Sequence, residues 1–187
     1  GREAGLVMQM MNNPDFRVDY GTIVSCHLTR PQWDKPIVGL SSCRTNSYYN
    51  TEVMQEQAIE LGKATRRAIE ASGKRAIVIA SNSLSHRHFV SESELPEDMS
   101  KEHVTNHNQY LWDMEMIRKM KGGRTREMVD VMPEFTDHTM SETDAGSLTW
   151  MLSALDFPTY PAEIYAYGTV IGTGNAIASW MPGREQR

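Results

Sequence analysis

At 187 residues, 40% of them hydrophobic and 23% charged, the chain can bury one substantial core, and a single domain over residues 1–187 is expected. A net charge of −5 leaves no concentrated basic face of the kind nucleic-acid binding requires. Two cysteines, Cys26 and Cys43, make no secreted disulfide framework. With no signal-peptide pattern and no apolar run near the roughly 18 residues of a membrane span, no membrane contact is expected and a reducing cytoplasm is the expected setting.

The chain opens on Gly1-Arg2-Glu3 and goes straight into a helix-like segment, as a processed or partial chain would. Residues 2–12 read as the end of a helix closed by Asn12, Asn13 and Pro14. Residues 20–28, rich in β-branched and apolar side chains, read as a strand, with Gly21 marking its start or a close backbone approach. Residues 37–40 read as a second short buried strand. Over residues 51–72, Met54, Ala58, Leu61, Ala68 and Ile69 recur near helical spacing, and Gly73 supplies the stop. Arg66, Arg67, Lys74 and Arg75 cluster near that helix's end, where cations suit the dipole.

Residues 76–80 form an apolar run with no alternation, the pattern of a strand buried on both faces. The run ends in Ser81-Asn82-Ser83-Leu84-Ser85 and then delivers His86, with Arg87 and His88 following. Loops beyond the carboxyl ends of such strands commonly carry chemistry. His86 is therefore a candidate for proton transfer, against the plainer reading of a surface histidine beyond a turn. Strand, helix and strand in succession favour an α/β fold, with a central, mostly parallel or mixed sheet covered by helices.

Residues 91–102 are acidic, contain Pro96 and read as an exposed excursion. A helix is expected over 102–121, ended by Gly122-Gly123, and a short one over 125–132, stopped by Pro133. Thr139 and Glu142 have capping-box spacing ahead of the apolar segment 148–152, so Glu142 reads as a helix-start carboxylate that also suits a hard divalent cation. Residues 162–171 alternate as a last strand, and Gly172-Thr173-Gly174-Asn175 begins a tail. Thirteen methionines, most at helix-like spacing, read as soft core filling.

Other constellations are weaker. His86 and His88 could put two imidazoles on one side of an extended segment, but no third metal ligand is adjacent. His103 and His107 share a helix face without the intervening Glu of a zinc protease. Gly172-Thr173-Gly174 is a weak likeness of a phosphate loop: it lacks the Gly-rich run that opens a helix after a first strand, and no suitably placed acidic partner follows.

Taken together, Asp19-Tyr20-Gly21-Thr22, the run from Ile77 to His86, and Glu142 ahead of Leu148-Thr149-Trp150-Met151 resemble the class III extradiol ring-cleaving dioxygenases, the LigB-like superfamily. Ser41-Ser42-Cys43-Arg44 and Tyr48-Tyr49-Asn50-Thr51-Glu52 place the resemblance nearest the members that open 2-aminophenol. The resemblance implies Fe(II) held by two histidines and a carboxylate, with Glu142 as the carboxylate and open positions for substrate and O2. It implies His86 as the acid-base histidine, and Tyr20 as a substrate-binding and catalytic phenol where many relatives carry a histidine. A phenol donates a hydrogen bond but is no base at neutral pH. The two iron histidines are expected upstream and absent from this chain, which would then be the C-terminal portion of a longer catalytic subunit, inactive alone. The implied partners are a homologous α subunit, as α2β2, with an aromatic substrate and O2. A catechol or protocatechuate substrate, or a non-catalytic homologous subunit, remain as alternatives.

Overall fold

The structure, a computed structural model, describes residues 1–41, 50–86, 104 and 106–183, with Thr143 described by its backbone alone. Among these residues the elements are α1 (Tyr20–Thr29), α2 (Thr51–Ser72), α3 (His107–Lys121), α4 (Thr125–Asp130), α5 (Met132–Thr139) and α6 (Gly146–Ala154), followed by strands β1 (Glu163–Val170) and β2 (Thr173–Ser179). Short 3-10 turns occupy Arg2–Ala4 and Glu142–Ala145.

The core is built by the second half of the chain. Met116 and Met120 of α3, Met128 of α4, Met132 and Phe135 of α5, and Leu148 and Leu152 of α6 form one buried cluster that Leu84 and Trp180 complete. Burying a side chain of this size contributes about 1.5–3 kcal/mol, and the methionines do serve as core filling. Helix α2 lays Ile59 against this cluster and packs chiefly against α6. At their closest point Gly62 meets Ser153, and a Cβ on Gly62 would fall 2.5 Å from the Ser153 Cβ and 2.6 Å from the Trp150 carbonyl oxygen. Only glycine lets these two helices approach so closely.

Several elements differ from the sequence expectation. Residues 20–28 are helical because Asp19 caps them: its carboxylate accepts the Thr22 backbone N–H at 2.9 Å and the Thr22 hydroxyl at 2.7 Å. That local cap outweighs the β propensity of the segment. Residues 2–12 hold only the Arg2–Ala4 turn, and Gly5 in the left-handed region ends it. The runs 37–40 and 76–80 form no ladder, and Val38 and Ile77 are 84% and 77% exposed. The expected parallel or mixed central sheet is therefore not formed among the described residues. The sheet present is an antiparallel hairpin of β1 and β2, irregular between Ile164 and Ala166.

Pro133 starts α5 instead of stopping a helix, since proline fits the first turn, where its missing N–H is not needed. Thr139 is the last residue of that helix and donates its hydroxyl to the Phe135 carbonyl, so it caps nothing after it. Gly172 closes the turn between the strands at φ 72°, and Thr173 to Asn175 begin β2, not a tail. Helix α2 keeps its expected limits, with Gly73 at φ 63°. Helix α3 starts at His107 beneath an Asn106 cap, later than expected, and β1 falls where alternation placed it. No helix among the described residues is long and apolar enough to cross a membrane.

Candidate active site

Residues 81–86 leave the exposed run at 76–80 and turn inward, so that Ser83, Leu84 and Ser85 are buried and His86 is half-buried. Three elements hold this loop. From β2, the Gly174 carbonyl accepts the Leu84 N–H at 2.9 Å, and the Gly174 N–H donates to the Ser85 carbonyl at 3.1 Å. From α3, Asp113 accepts the Ser85 backbone N–H at 2.8 Å and the Ser85 hydroxyl at 2.7 Å. From α6, the Ser147 hydroxyl donates to Asn82 Oδ1 at 2.8 Å. The Tyr167 hydroxyl of β1 adds a third bond to Asp113, at 2.7 Å on Oδ2.

Asp113 is wholly buried. Burial is the larger influence and pushes its carboxyl up, while the bonds from Tyr167 and Ser85 hold it down. Tyr167 is pushed up in turn, first by burial and then by the Asp113 acceptor beside it. Gly174 is what lets the strand come this close. A Cβ there would lie 1.9 Å from Asp113 Oδ2 and 2.7 Å from Ser85 Oγ, well inside contact distance.

His86 is joined to the Glu142 segment through the backbone: its N–H donates to the Thr139 carbonyl at 2.9 Å. Gln109 Nε2, almost fully buried, sits between the two, 3.3 Å from the Thr139 carbonyl and 3.4 Å from that of His86. Glu142 itself is exposed, in the first turn of the 3-10 segment. The backbone around it is strained, with Met140, Asp144 and Ala145 at φ 54°, 51° and 53°. Non-glycine residues avoid this region at a cost of order 1–3 kcal/mol each. Gln55 of α2 meets that strain: its Nε2 donates to the Asp144 carbonyl at 2.5 Å, and its Oε1 accepts the Thr149 hydroxyl.

Tyr20 begins α1 and is 81% exposed. Its neighbour Gly21 backs onto the loop, since a Cβ at Gly21 would stand 3.1 Å from Ser81 Oγ. The fold thus draws the Tyr20 helix start and the His86 loop together at Ser81, and the His86 loop and the Glu142 turn together at Thr139. His88, His103 and Cys43 lie outside the described residues. His107 lies apart, stacked on Tyr110 with ring centroids 6.1 Å apart. Both line an open groove of about 470 Å³ that Tyr167 also borders.

Sequence reasoning missed Gln55, Gln109, Asp113 and Tyr167, and took Gly174 only for part of a weak phosphate-loop likeness. Buried polar residues within apolar helix faces were the available signal for the first three. Gly172-Thr173-Gly174 owes its second glycine to this packing, with no phosphate needed.

The described residues do not by themselves complete a metal centre. No cluster of three or more His, Cys, Asp or Glu able to hold an ion occurs among them, and Glu142 offers one hard oxygen donor. The buried Ser83 Oγ, Gln109 Oε1 and Ser141 Oγ find no hydrogen-bond partner among the described residues. The surroundings of His86 and Glu142 are thus polar and only partly satisfied.

The profile of the family described as "Catalytic LigB subunit of aromatic ring-opening dioxygenase" matches residues 2–178. The chain is 51% identical over 180 residues, 96% of its length, to a 2-aminophenol 1,6-dioxygenase beta subunit of Pseudomonas sp. It is 25% identical over 180 residues to the alpha subunit named for the same enzyme, and 22% identical over 177 residues to a 3,4-dihydroxyphenylacetate 2,3-dioxygenase of Escherichia coli. The chain spans 59%, 62% and 59% of the lengths of these three relatives, in that order.

Proposed function

This chain belongs to the LigB family of aromatic ring-opening dioxygenases, and from that premise we propose that it is part of a catalytic subunit that opens the ring of 2-aminophenol with O2. The identity shared with the Pseudomonas beta subunit carries this reading. The product is 2-aminomuconate 6-semialdehyde. The bond between the hydroxyl-bearing carbon and its unsubstituted neighbour breaks, and both atoms of O2 enter the product. The balance needs no further oxidant or reductant.

In this reading His86 moves the protons. It takes one from the substrate hydroxyl and returns one as the ring opens, since an imidazole can both accept and donate a proton. The loop supports that role by fixing the histidine backbone at both its N–H and its carbonyl. Tyr20 binds the substrate from the start of α1 through a phenol that can donate or accept a hydrogen bond. Glu142 would provide a carboxylate ligand to Fe(II), with two imidazoles coming from outside the described residues.

The exposed apolar runs at 37–40 and 76–80 join the central sheet of the complete subunit in this reading. The partner is a homologous alpha subunit, in an α2β2 arrangement, and the setting is the cytoplasm. The Escherichia coli relative's name favours a second reading, in which the substrate is a catechol.

The test is O2 uptake by the full-length protein, reconstituted anaerobically with Fe(II) and offered 2-aminophenol, catechol and protocatechuate in turn. Preferential uptake with 2-aminophenol is expected. Preference for catechol or protocatechuate would replace the substrate, and no uptake with any of the three would favour a non-catalytic subunit.

A further inference from the structure

We propose that Asp113 is a positioning residue for His86, acting through Ser85 as part of a relay that Tyr167 and Gly174 complete. The inference rests on the reading of His86 as the proton-transferring group and extends it to residues that touch neither substrate nor metal.

The loop that carries His86 has no regular secondary structure to hold it. Its place is set one residue earlier. Ser85 is wholly buried and commits its N–H, hydroxyl and carbonyl to partners on two different elements, Asp113 on α3 and Gly174 on β2. Among the described residues no cation is paired with Asp113. Three donors converge on this carboxylate: the Ser85 N–H, the Ser85 hydroxyl and the Tyr167 hydroxyl. Buried polar groups are retained where they fix one arrangement that apolar packing would leave loose. What this one fixes is the residue before His86.

The geometry distributes the roles. Asp113 sets the direction of the Ser85 backbone, and therefore where the His86 Cα leaves the loop. Tyr167 fixes the carboxylate from the far side. Gly174 leaves the space the carboxylate occupies. A small error in the placement of an acid-base group is costly, because proton transfer needs heavy atoms within about 2.6–3.2 Å.

The test uses the full-length protein with Fe(II), as wild type, D113N, H86A and the double variant D113N/H86A. Asparagine keeps the size of the side chain and can still accept the Ser85 N–H. We expect D113N to keep KM within about threefold and to lower kcat by about ten- to a hundredfold, while adding D113N to H86A changes kcat by less than twofold. Such non-additivity is the mark of a residue that acts through its neighbour. Equal losses in both backgrounds would overturn the proposal, because a general loss of structure does not depend on His86.

A second readout needs no turnover. In histidine-labelled protein the ring resonances of His86, identified by their loss in H86A, should shift or broaden in D113N while those of His27, on α1 and bonded to Trp33, stay in place. Unmoved His86 resonances would overturn the proposal even if the wild type proved inactive toward every phenol tried, a result that would count against the functional reading alone. Y167F should reproduce the same His86 shift at smaller size.

Discussion

The backbone N–H of His86 donates to the Thr139 carbonyl at 2.9 Å. Two segments more than fifty residues apart in the chain are thereby fastened together, one ending in the proposed proton carrier and the other turning into Glu142 three residues later. The strained turn is held in place, since Gln55 reaches from α2 to the Asp144 carbonyl on its far side.

If His86 carries protons, His86→Ala in the full-length protein leaves the iron content unchanged and slows 2-aminophenol-dependent O2 uptake by about 10²–10⁴. Iron assay and oxygen electrode on the same sample check this. An unaltered rate removes His86 from the mechanism.

Glu142→Ala should act in the opposite way. The side chain is exposed, so its loss should move Tm little, yet iron retained after gel filtration should fall sharply. Full iron occupancy in this variant would end the assignment of Glu142 as a ligand.

Gln55→Ala removes the bonds to the Asp144 carbonyl and the Thr149 hydroxyl in a buried place. Urea unfolding should show a loss of about 1–3 kcal/mol. Because the turn beside Glu142 slackens too, iron affinity should fall by about 10- to 100-fold, the usual effect of removing the support of a metal ligand. A stability loss with unchanged iron affinity would confine Gln55 to the core.

Asp113 makes stability depend on pH with a defined sign. Burial, its dominant influence, holds the folded carboxyl above the ordinary 3.8. A carboxyl shifted this way favours folding when protonated, so its contribution is complete below the unfolded value and is lost as pH rises through the folded one. Unfolding free energies measured from pH 3.5 upward should show the wild type losing stability relative to Asp113→Asn across that window. Parallel curves would mean that burial does not shift Asp113.

The sequence made the framework around α2 and β1 legible because their signals are local: helical spacing with Gly73 at the stop, and alternation over the strand. The same local logic misled at Tyr20, where β-branched residues suggested a strand and the deciding feature was Asp19 three residues ahead of Thr22. The His86 loop was legible as a place, since an apolar run stops there in small polar residues. What holds the loop was not, because Asp113 and Gly174 meet Ser85 only through folding: a polar residue among the apolar positions of α3 marks Asp113 as unusual without naming its partner. The run at 76–80 shows the converse. Its pattern is that of a buried strand, yet Ile77 is exposed among the residues present, so a pattern records what a segment is suited to and not what covers it.

The bond from the Gly174 N–H to Ser85 spans 89 positions of sequence. On the ribosome, where residues appear at roughly 5–20 per second, the His86 loop must therefore wait several seconds for the strand that secures it. Until then the loop lacks its partner on β2, and a chain truncated upstream of Gly174 would be unable to secure its own site.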